Sequence, residues 1–274
     1  MTQIKKTIKK LLNKRVLFRM LRIKNSFLFS KNKKRGKVDE LFVIYDFFVK
    51  NHTSGIMFDV GVHFGESSIP FLRSGWEVYG FEPDKNNFEI VERNISENIS
   101  EKSKFHLFDF ALADKPGKLN FYKSEESSGI SSLLNFQDSH KSAYTVKVST
   151  LNDVIEEFSI PPVKLIKVDA EGYDLLVLKG LDLIKHNSVE IIMCEYEDKK
   201  TVKLGYTVLD MVSYLQSAGF NILICEWEPI VQYGGNHQFR SAKKFPCSID
   251  HNCWGNIIAY KDPEFEKFAL QKMN

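Results

Sequence analysis

From residue 39 onward the chain alternates between two hydrophobic periods. Residues 39–52 (DELFVIYDFFVKNH) place apolar side chains at helical spacing. Residues 55–61 (GIMFDVG) follow as a short apolar run, the pattern of a strand buried on both faces. Residues 66–75 read as a helix in which Pro70 must sit in or near the first turn or else kink it. A strand over 76–83 leads into a helix over 84–98, with Asp84 as its cap. Residues 104–112 form a third strand, and 117–124 and 144–149 are β segments around a Ser-rich loop, 124–142. A Ser/Thr-capped helix follows over 149–158. Strands over 163–169, 189–197 and 220–228 are separated by helices near 173–186 and 207–218, and a last strand covers 253–261. This alternation predicts an α/β fold with a mainly parallel sheet and helices on both faces.

The first 37 residues break the pattern. Residues 3–23 (QIKKTIKKLLNKRVLFRMLRI) gather Ile4, Ile8, Leu11 and Val16 on one helical face and basic side chains on the other. Of the 38 Lys and Arg, 14 fall in residues 1–37, where there is no Asp or Glu, so the rest of the chain carries 24 basic against all 35 acidic residues. Residues 1–37 are therefore a basic amphipathic arm ending in a linker, and residues 38–274 an acidic domain. Such a helix suits an anionic membrane surface. Packing on its own domain or binding nucleic acid would use the same pattern, but the acidic body lacks a basic–aromatic surface motif for nucleic acid. No run reaches the ~20 apolar residues of a spanning helix, and no signal peptide is expected. Cys194, Cys225, Cys247 and Cys253 form no Cys-x-x-Cys pair. They read as reduced thiols of a cytoplasmic protein, which the arm would hold at the inner face of the membrane.

Chemistry gathers at strand ends. In residues 58–68 (FDVGVHFGESS) Asp59 closes a strand, and Gly61 and Gly65 flank a tight turn into a helix. In a doubly wound sheet this first turn receives a nucleotide-like ligand. Glycines admit the ligand, and the helix start offers it free N–H groups. The spacing Asp-x-Gly-x-x-x-Gly lacks the GxGxxG fingerprint of dinucleotide sites, which argues against a nicotinamide oxidoreductase. Glu82 lies 21 residues after Gly61, at the end of the next strand, where an acid can accept both hydroxyls of a ribose. Residues 164–180 (KLIKVDAEGYDLLVLKG) again end an apolar strand in acid, Asp169 and Glu171, before Gly172 turns the chain into a helix. Residues 233–256 form a long polar segment, the kind that serves as a lid or acceptor site, with His237, Arg240 and His251 as contacts for a sugar or phosphate.

The Asp59–Gly65 turn with Glu82 resembles the S-adenosylmethionine site of class I methyltransferases. Together with STLNDVIEEF and VKLIKVDAEGYDLLVLKG, it is similar to the FkbM-type methyltransferase family over roughly residues 55–197. The resemblance implies a Rossmann-like, seven-stranded class I domain over residues 38–274, with S-adenosylmethionine as methyl donor. Asp59, Gly61, His63, Gly65, Glu82, Asp109 and Asp169 would bind it. Here His63 stands where the family usually has Asn, and Asp109 would meet the adenine amino group with Phe108, Phe110 and Ala111 against the ring. The implied reaction is O-methylation of a sugar, glycan, glycolipid or related natural product. Asp169, Glu171 and Glu195 would be the catalytic carboxylates at the rim beside a cationic donor. Glu195 would complete either the acceptor site or a divalent-metal cluster with Asp169. A donor-binding partner subunit without turnover, and a methyltransferase acting on RNA, are the alternatives.

Overall fold

The computed structural model describes residues 38–124, 131–136, 140–230 and 237–274. The basic arm expected over residues 1–37 lies outside the described residues, as do parts of the 124–142 and 233–256 segments.

Strand β1 (Ile56–Val60) is buried at all five positions, so it must lie inside a sheet covered on both faces. It is followed by β2 (Glu77–Phe81), β3 (Phe105–Phe108), β4 (Ala111–Leu112), β5 (Gly117–Ser124), β6 (His140–Ser149), β7 (Val163–Val168), β8 (Ile191–Glu197), β9 (Asn221–Trp227), β10 (Phe239–Lys244) and β11 (Trp254–Tyr260). Helices are α1 (Glu40–Lys50), α2 (Ser68–Arg73), α3 (Lys85–Asn98), α4 (Leu151–Glu157), α5 (Asp174–Lys179), α6 (Asp198–Thr201), α7 (Val208–Ser217) and α8 (Pro263–Met273).

The main sheet runs β10-β9-β11-β8-β7-β1-β2-β3. Strands β1, β2, β3, β7 and β8 are parallel, and β11 is inserted antiparallel between β8 and β9. From β3 to β9 this is the expected seven-stranded Rossmann-like sheet with one reversed strand, and β10 adds an eighth at the edge. Strand order reverses beside β1, so the crevice beyond the ends of β1, β2 and β7 is where such a sheet binds a ligand. One face buries Phe58, Ile166, Ile192 and Ile224 with Leu151 of α4, Leu178 of α5 and Met211 of α7. On the other face Phe47 of α1 meets Phe265 of α8, and Phe71 of α2 packs edge-on against Trp76.

A second sheet, β4-β6-β5, stands beside the first. Its presence corrects the single strand expected over 104–112. The chain leaves β2 after Phe108, Asp109 is exposed, and Ala111 pairs with Val148 of β6 instead. The helix expected over 173–186 stops at Lys179, capped by Gly180, which lies so close to Ala113 that an added Cβ would stand 2.3 Å from the Ala113 carbonyl oxygen. Pro70 falls in the first turn of α2. Strand β10 occupies part of the long polar segment over 233–256. Helix α8 was not anticipated, although Asp262 caps it and Pro263 opens it.

Candidate active site

The turn after β1 is shaped by one close approach. Gly61 has φ +74°, and a Cβ there would meet the Asp169 carbonyl oxygen at 2.0 Å, so only glycine lets this turn lie against the loop after β7. His63 follows at φ +54°, a strained conformation for a non-glycine residue. Its N–H donates to Glu82 Oε2 at 2.8 Å. Gly65, at φ +83°, completes the turn. Asp59 is fully buried behind it and accepts hydrogen bonds from the hydroxyls of Ser67 (2.5 Å) and Ser68 (2.6 Å), tying the start of α2 to the strand.

Glu82 is 5 % exposed at the end of β2. Its second oxygen accepts the Asp84 N–H at 2.9 Å. Burial pushes its carboxyl up to about 7, and these backbone donors act in the opposite sense. Burial likewise lowers the His63 imidazole to about 4, against a smaller upward pull from Asp169, so its ring is neutral near pH 7.

The loop after β7 is over-determined. Glu171 has φ +50° and Gly172 φ +98°. Ser132 Oγ donates to the Glu171 carbonyl at 2.8 Å, and the Tyr206 hydroxyl donates to the Gly172 carbonyl at 2.6 Å. Asp174, 1 % exposed, accepts the N–H groups of Gly172 (3.2 Å) and Glu195 (3.2 Å), with Ala170 N at the long limit of 3.5 Å. It thereby joins the loop to β8. Burial raises its carboxyl to about 6, reinforced by the nearby Asp169. Strain of this kind persists only where the surroundings enforce it, and it concentrates at functional sites.

Two buried lysines counter the acid. Lys167 Nζ donates to the Gly61 carbonyl at 2.8 Å and stands 3.4 Å from Asp59 Oδ1 and 3.5 Å from Asp169 Oδ2. The Asp59 contact is an ion pair without hydrogen-bond geometry, since that oxygen has no hydrogen-bond partner. Lys200 Nζ lies 2.6 Å from Glu171 Oε2, 2.9 Å from Glu197 Oε2 and 3.6 Å from Glu195 Oε2. Burial alone would lower the Lys200 ammonium, but these three carboxylates outweigh it and hold the group well above its ordinary value. Burial raises the carboxyls of Glu171 and Glu195, and Lys200 opposes both shifts.

These elements enclose an open cleft of about 840 Å³, its solvent mouth included. The floor is Val60, Gly61 and Phe81; Glu82 and His63 stand on one side, and Asp169, Ala170 and Glu171 on the other. Phe110, Leu112, Phe121 and Leu133 form an apolar wall contributed by the second sheet and its flanking segments. Residues 59–222 match the family described as "Methyltransferase FkbM domain".

The chain belongs to the FkbM methyltransferase domain family. It is similar to the hexuronic acid methyltransferase AglP of Haloferax volcanii, 26% identical over 126 residues. That match covers 46% of this chain and 49% of AglP, so the chain spans about half the length of the curated relative it matches. Among solved structures it is similar to an FkbM methyltransferase of Methylobacillus flagellatus (17% identity, 76% of this chain and 44% of that one, TM-score 0.46). Another is the O-methyltransferase of Bacillus cereus in complex with SAH (10% identity, 89% and 90%, TM-score 0.44).

Within the FkbM domain, Gly61, His63, Glu82, Asp169 and Glu171 all line the cleft. Asp59 and Gly65 do not: Asp59 anchors the turn from behind, and Gly65 abuts Ile95 and Val91 of α3. Asp109 is exposed and stands outside the lining, where Phe110 and Ala111 take part instead. Glu195 is off the lining as well, yet one oxygen each from Asp169, Glu171 and Glu195 lies within 4.8 Å of the others. His237, Arg240 and His251 lie apart from the lining. Arg240 pairs with Asp250 at 3.0 Å and His251 Nδ1 with Asp198 at 2.5 Å. Sequence reasoning missed Lys167, Lys200, Ser132 and Tyr206. Lys167 alone had a readable signal, a lysine between Ile166 and Val168 near the end of an apolar strand.

Proposed function

We propose that this FkbM domain transfers a methyl group from S-adenosylmethionine to a hydroxyl of a sugar unit in a glycan or glycolipid. The observation that carries the reading is the meeting in one cleft of the Gly61 turn, the buried Glu82 carboxylate and the Asp169–Glu171 pair. The residues suit this donor. Glu82, fixed by two backbone N–H groups, keeps lone pairs for ribose hydroxyls. The apolar wall of Phe110, Leu112 and Phe121 suits an adenine ring. A neutral His63 adds no like charge to a sulfonium, and the acidic side of the cleft favours one.

The donor supplies a methyl group on a positively charged sulfur. In one displacement the acceptor oxygen forms the new O–C bond, the C–S bond breaks with its electron pair left on sulfur, and the hydroxyl proton passes to a carboxylate. Glu171 is our choice for that base, because it lines the cleft and is held there by Lys200. Asp169 orients donor or acceptor, and Glu195 backs the pair from β8. The likeness to AglP supports a sugar acceptor. The basic segment over residues 3–23, amphipathic in its sequence pattern, is assigned to an anionic membrane surface, near lipid-linked acceptors; no described helix is long and apolar enough to cross a membrane. Failure of the full chain to sediment with anionic vesicles at low salt would remove that assignment.

The test is to incubate the full chain with labelled S-adenosylmethionine and a fractionated cell-envelope glycan extract, and to identify the labelled product. Calorimetry should show donor binding that Glu82→Ala abolishes. Glu171→Gln should keep binding and lose transfer. Tight NADH binding without donor binding would overturn the reading.

A further inference from the structure

Among the described residues, three carboxylates converge on one point, and the point is occupied by a lysine. Helix α6 is a single turn that starts where β8 ends, and it carries Lys200 back across the strand end. Glu195 and Glu197 come from β8, and Glu171 comes from the loop after β7, 29 residues away in sequence. Lys200 is 2 % exposed, and its ammonium lies 2.6, 2.9 and 3.6 Å from Glu171, Glu197 and Glu195. The Phe136 ring centroid lies 5.0 Å from the same nitrogen, so an aromatic face closes another side.

A solvated lysine of a charged run would not be found here. Burying an ammonium is costly unless carboxylates surround it, and burying carboxylates is costly unless a cation does. Each group is thus the condition for the others. Of the four, only Glu171 lines the cleft, so Lys200 acts on the cleft through Glu171. The same arrangement bears on divalent ions. Oxygen ligands lie at about 2.0–2.6 Å from such an ion. One bound through Glu171 Oε2 would therefore stand no more than about 5 Å from the ammonium, and would compete with it for the same lone pairs.

We propose that the Lys200 ammonium is the resident cation of this acid cluster: a positioning residue that holds the Glu171 carboxylate at the cleft and competes with a divalent ion for Glu171 and Glu195, two of the three carboxylates (with Asp169) that could ligate one. The proposal rests on the methyl-transfer reading for the meaning of Glu171, but the cation assignment can be tested without turnover.

The first arm titrates Mn2+ into the full chain and follows free Mn2+ by electron paramagnetic resonance. Wild type and Glu171→Gln should leave the same amount of Mn2+ free. Lys200→Ala, which leaves three carboxylates without their ammonium, should gain one bound Mn2+ per chain, and Lys200→Ala/Glu171→Gln should lose it again. Mn2+ binding by wild type that disappears in Glu171→Gln would overturn the proposal, as would a folded Lys200→Ala chain that binds none. Should Lys200→Ala fail to fold, the comparison of wild type with Glu171→Gln still decides whether the cluster takes an ion.

The second arm measures transfer from labelled S-adenosylmethionine to the cell-envelope glycan extract. Wild type should be unaffected by a chelator. Lys200→Ala should bind the donor normally yet lose at least tenfold in rate, and ethylammonium or Mg2+ should restore part of it, which repair of a merely structural defect would not. A wild-type rate abolished by chelator and restored by Mg2+ would sink the idea. Absence of any labelled product from wild type would count against the methyl-transfer reading alone, and the Mn2+ arm would still judge Lys200.

Discussion

Two glycines with nearly the same backbone angle should respond very differently to one added carbon. Gly61 (φ +74°) and Gly75 (φ +85°) both adopt the left-handed conformation. Alanine there costs about 1–2 kcal/mol in either place. At Gly75 an added Cβ would meet nothing within 4 Å, so the backbone cost is the whole effect. At Gly61 the carbon would land 2.0 Å from the Asp169 carbonyl oxygen, against a comfortable separation of about 3.5 Å. Relief requires the two loops to part by more than an ångström, roughly the difference between those two separations. They are held by the Asp169 N–H donating to the Val60 carbonyl at 3.1 Å and by Lys167 Nζ donating to the Gly61 carbonyl at 2.8 Å. Overpacking adds about 1–3 kcal/mol, and loss of one of these hydrogen bonds about 1 kcal/mol more. Gly61→Ala should therefore be about 2–4 kcal/mol less stable than Gly75→Ala. For a domain of this size that corresponds to a melting temperature roughly 4–16 °C lower. Calorimetric melts of the two full-length variants measure the gap, and donor titrations should show binding lost at Gly61→Ala and kept at Gly75→Ala. Melting temperatures within about 2 °C of each other would refute the close approach on which the cleft floor depends.

Asp174→Ala strips the acceptor from the Gly172 and Glu195 N–H groups and should cost about 2–4 kcal/mol in urea unfolding. Lys167→Met leaves the fully buried Asp59 without its cation, an expected loss of about 3–5 kcal/mol, and adding Asp59→Asn should recover part of it. Glu82, raised to about 7, keeps its proton in the folded chain after the unfolded chain has released it. Its contribution to stability therefore falls as pH rises from about 4.5 to about 7 and stays low above that. Urea midpoints of wild type and Glu82→Gln at pH 5 and pH 7 should diverge by that slope; parallel profiles would contradict it.

The parts of the site that sequence reveals are those set by local spacing. Gly61 and Glu82 are legible because a glycine turn and an acid one strand later follow from the βαβ period, and Asp169 and Glu171 because acid at the end of an apolar strand is conspicuous. Asp109 is exposed and stands one residue away from the cleft lining. The chain leaves the sheet after Phe108, so Phe110 rather than Asp109 reaches the cleft, and no pattern marks where a strand parts from its neighbour. Lys200 could not be seen at all. In EDKKTVK it reads as one more solvated charge, and its burial follows only from the tertiary return of α6 onto a loop distant in sequence. Helix α8 is a different case, since its Asp-Pro start was present in the sequence and went unread.

The second sheet gives the cleft a wall that can be rewritten. It enters the chain between β3 and β7, and removing it in thought leaves every pairing of the main sheet in place. Along β5 and β6, Phe121, Val146 and Val148 face inward to the packed layer, while Lys118, Asn120, Thr145 and Lys147 stand exposed on the alternate positions. Lys118 lies directly opposite Lys147, an arrangement packing does not require. Inheritance should therefore act on this hairpin with a period of two: inward positions constrained by the donor's wall, outward ones open to drift. A lineage could rewrite the outward face of this hairpin while Asp169, Glu171 and the lysines beneath them stay untouched.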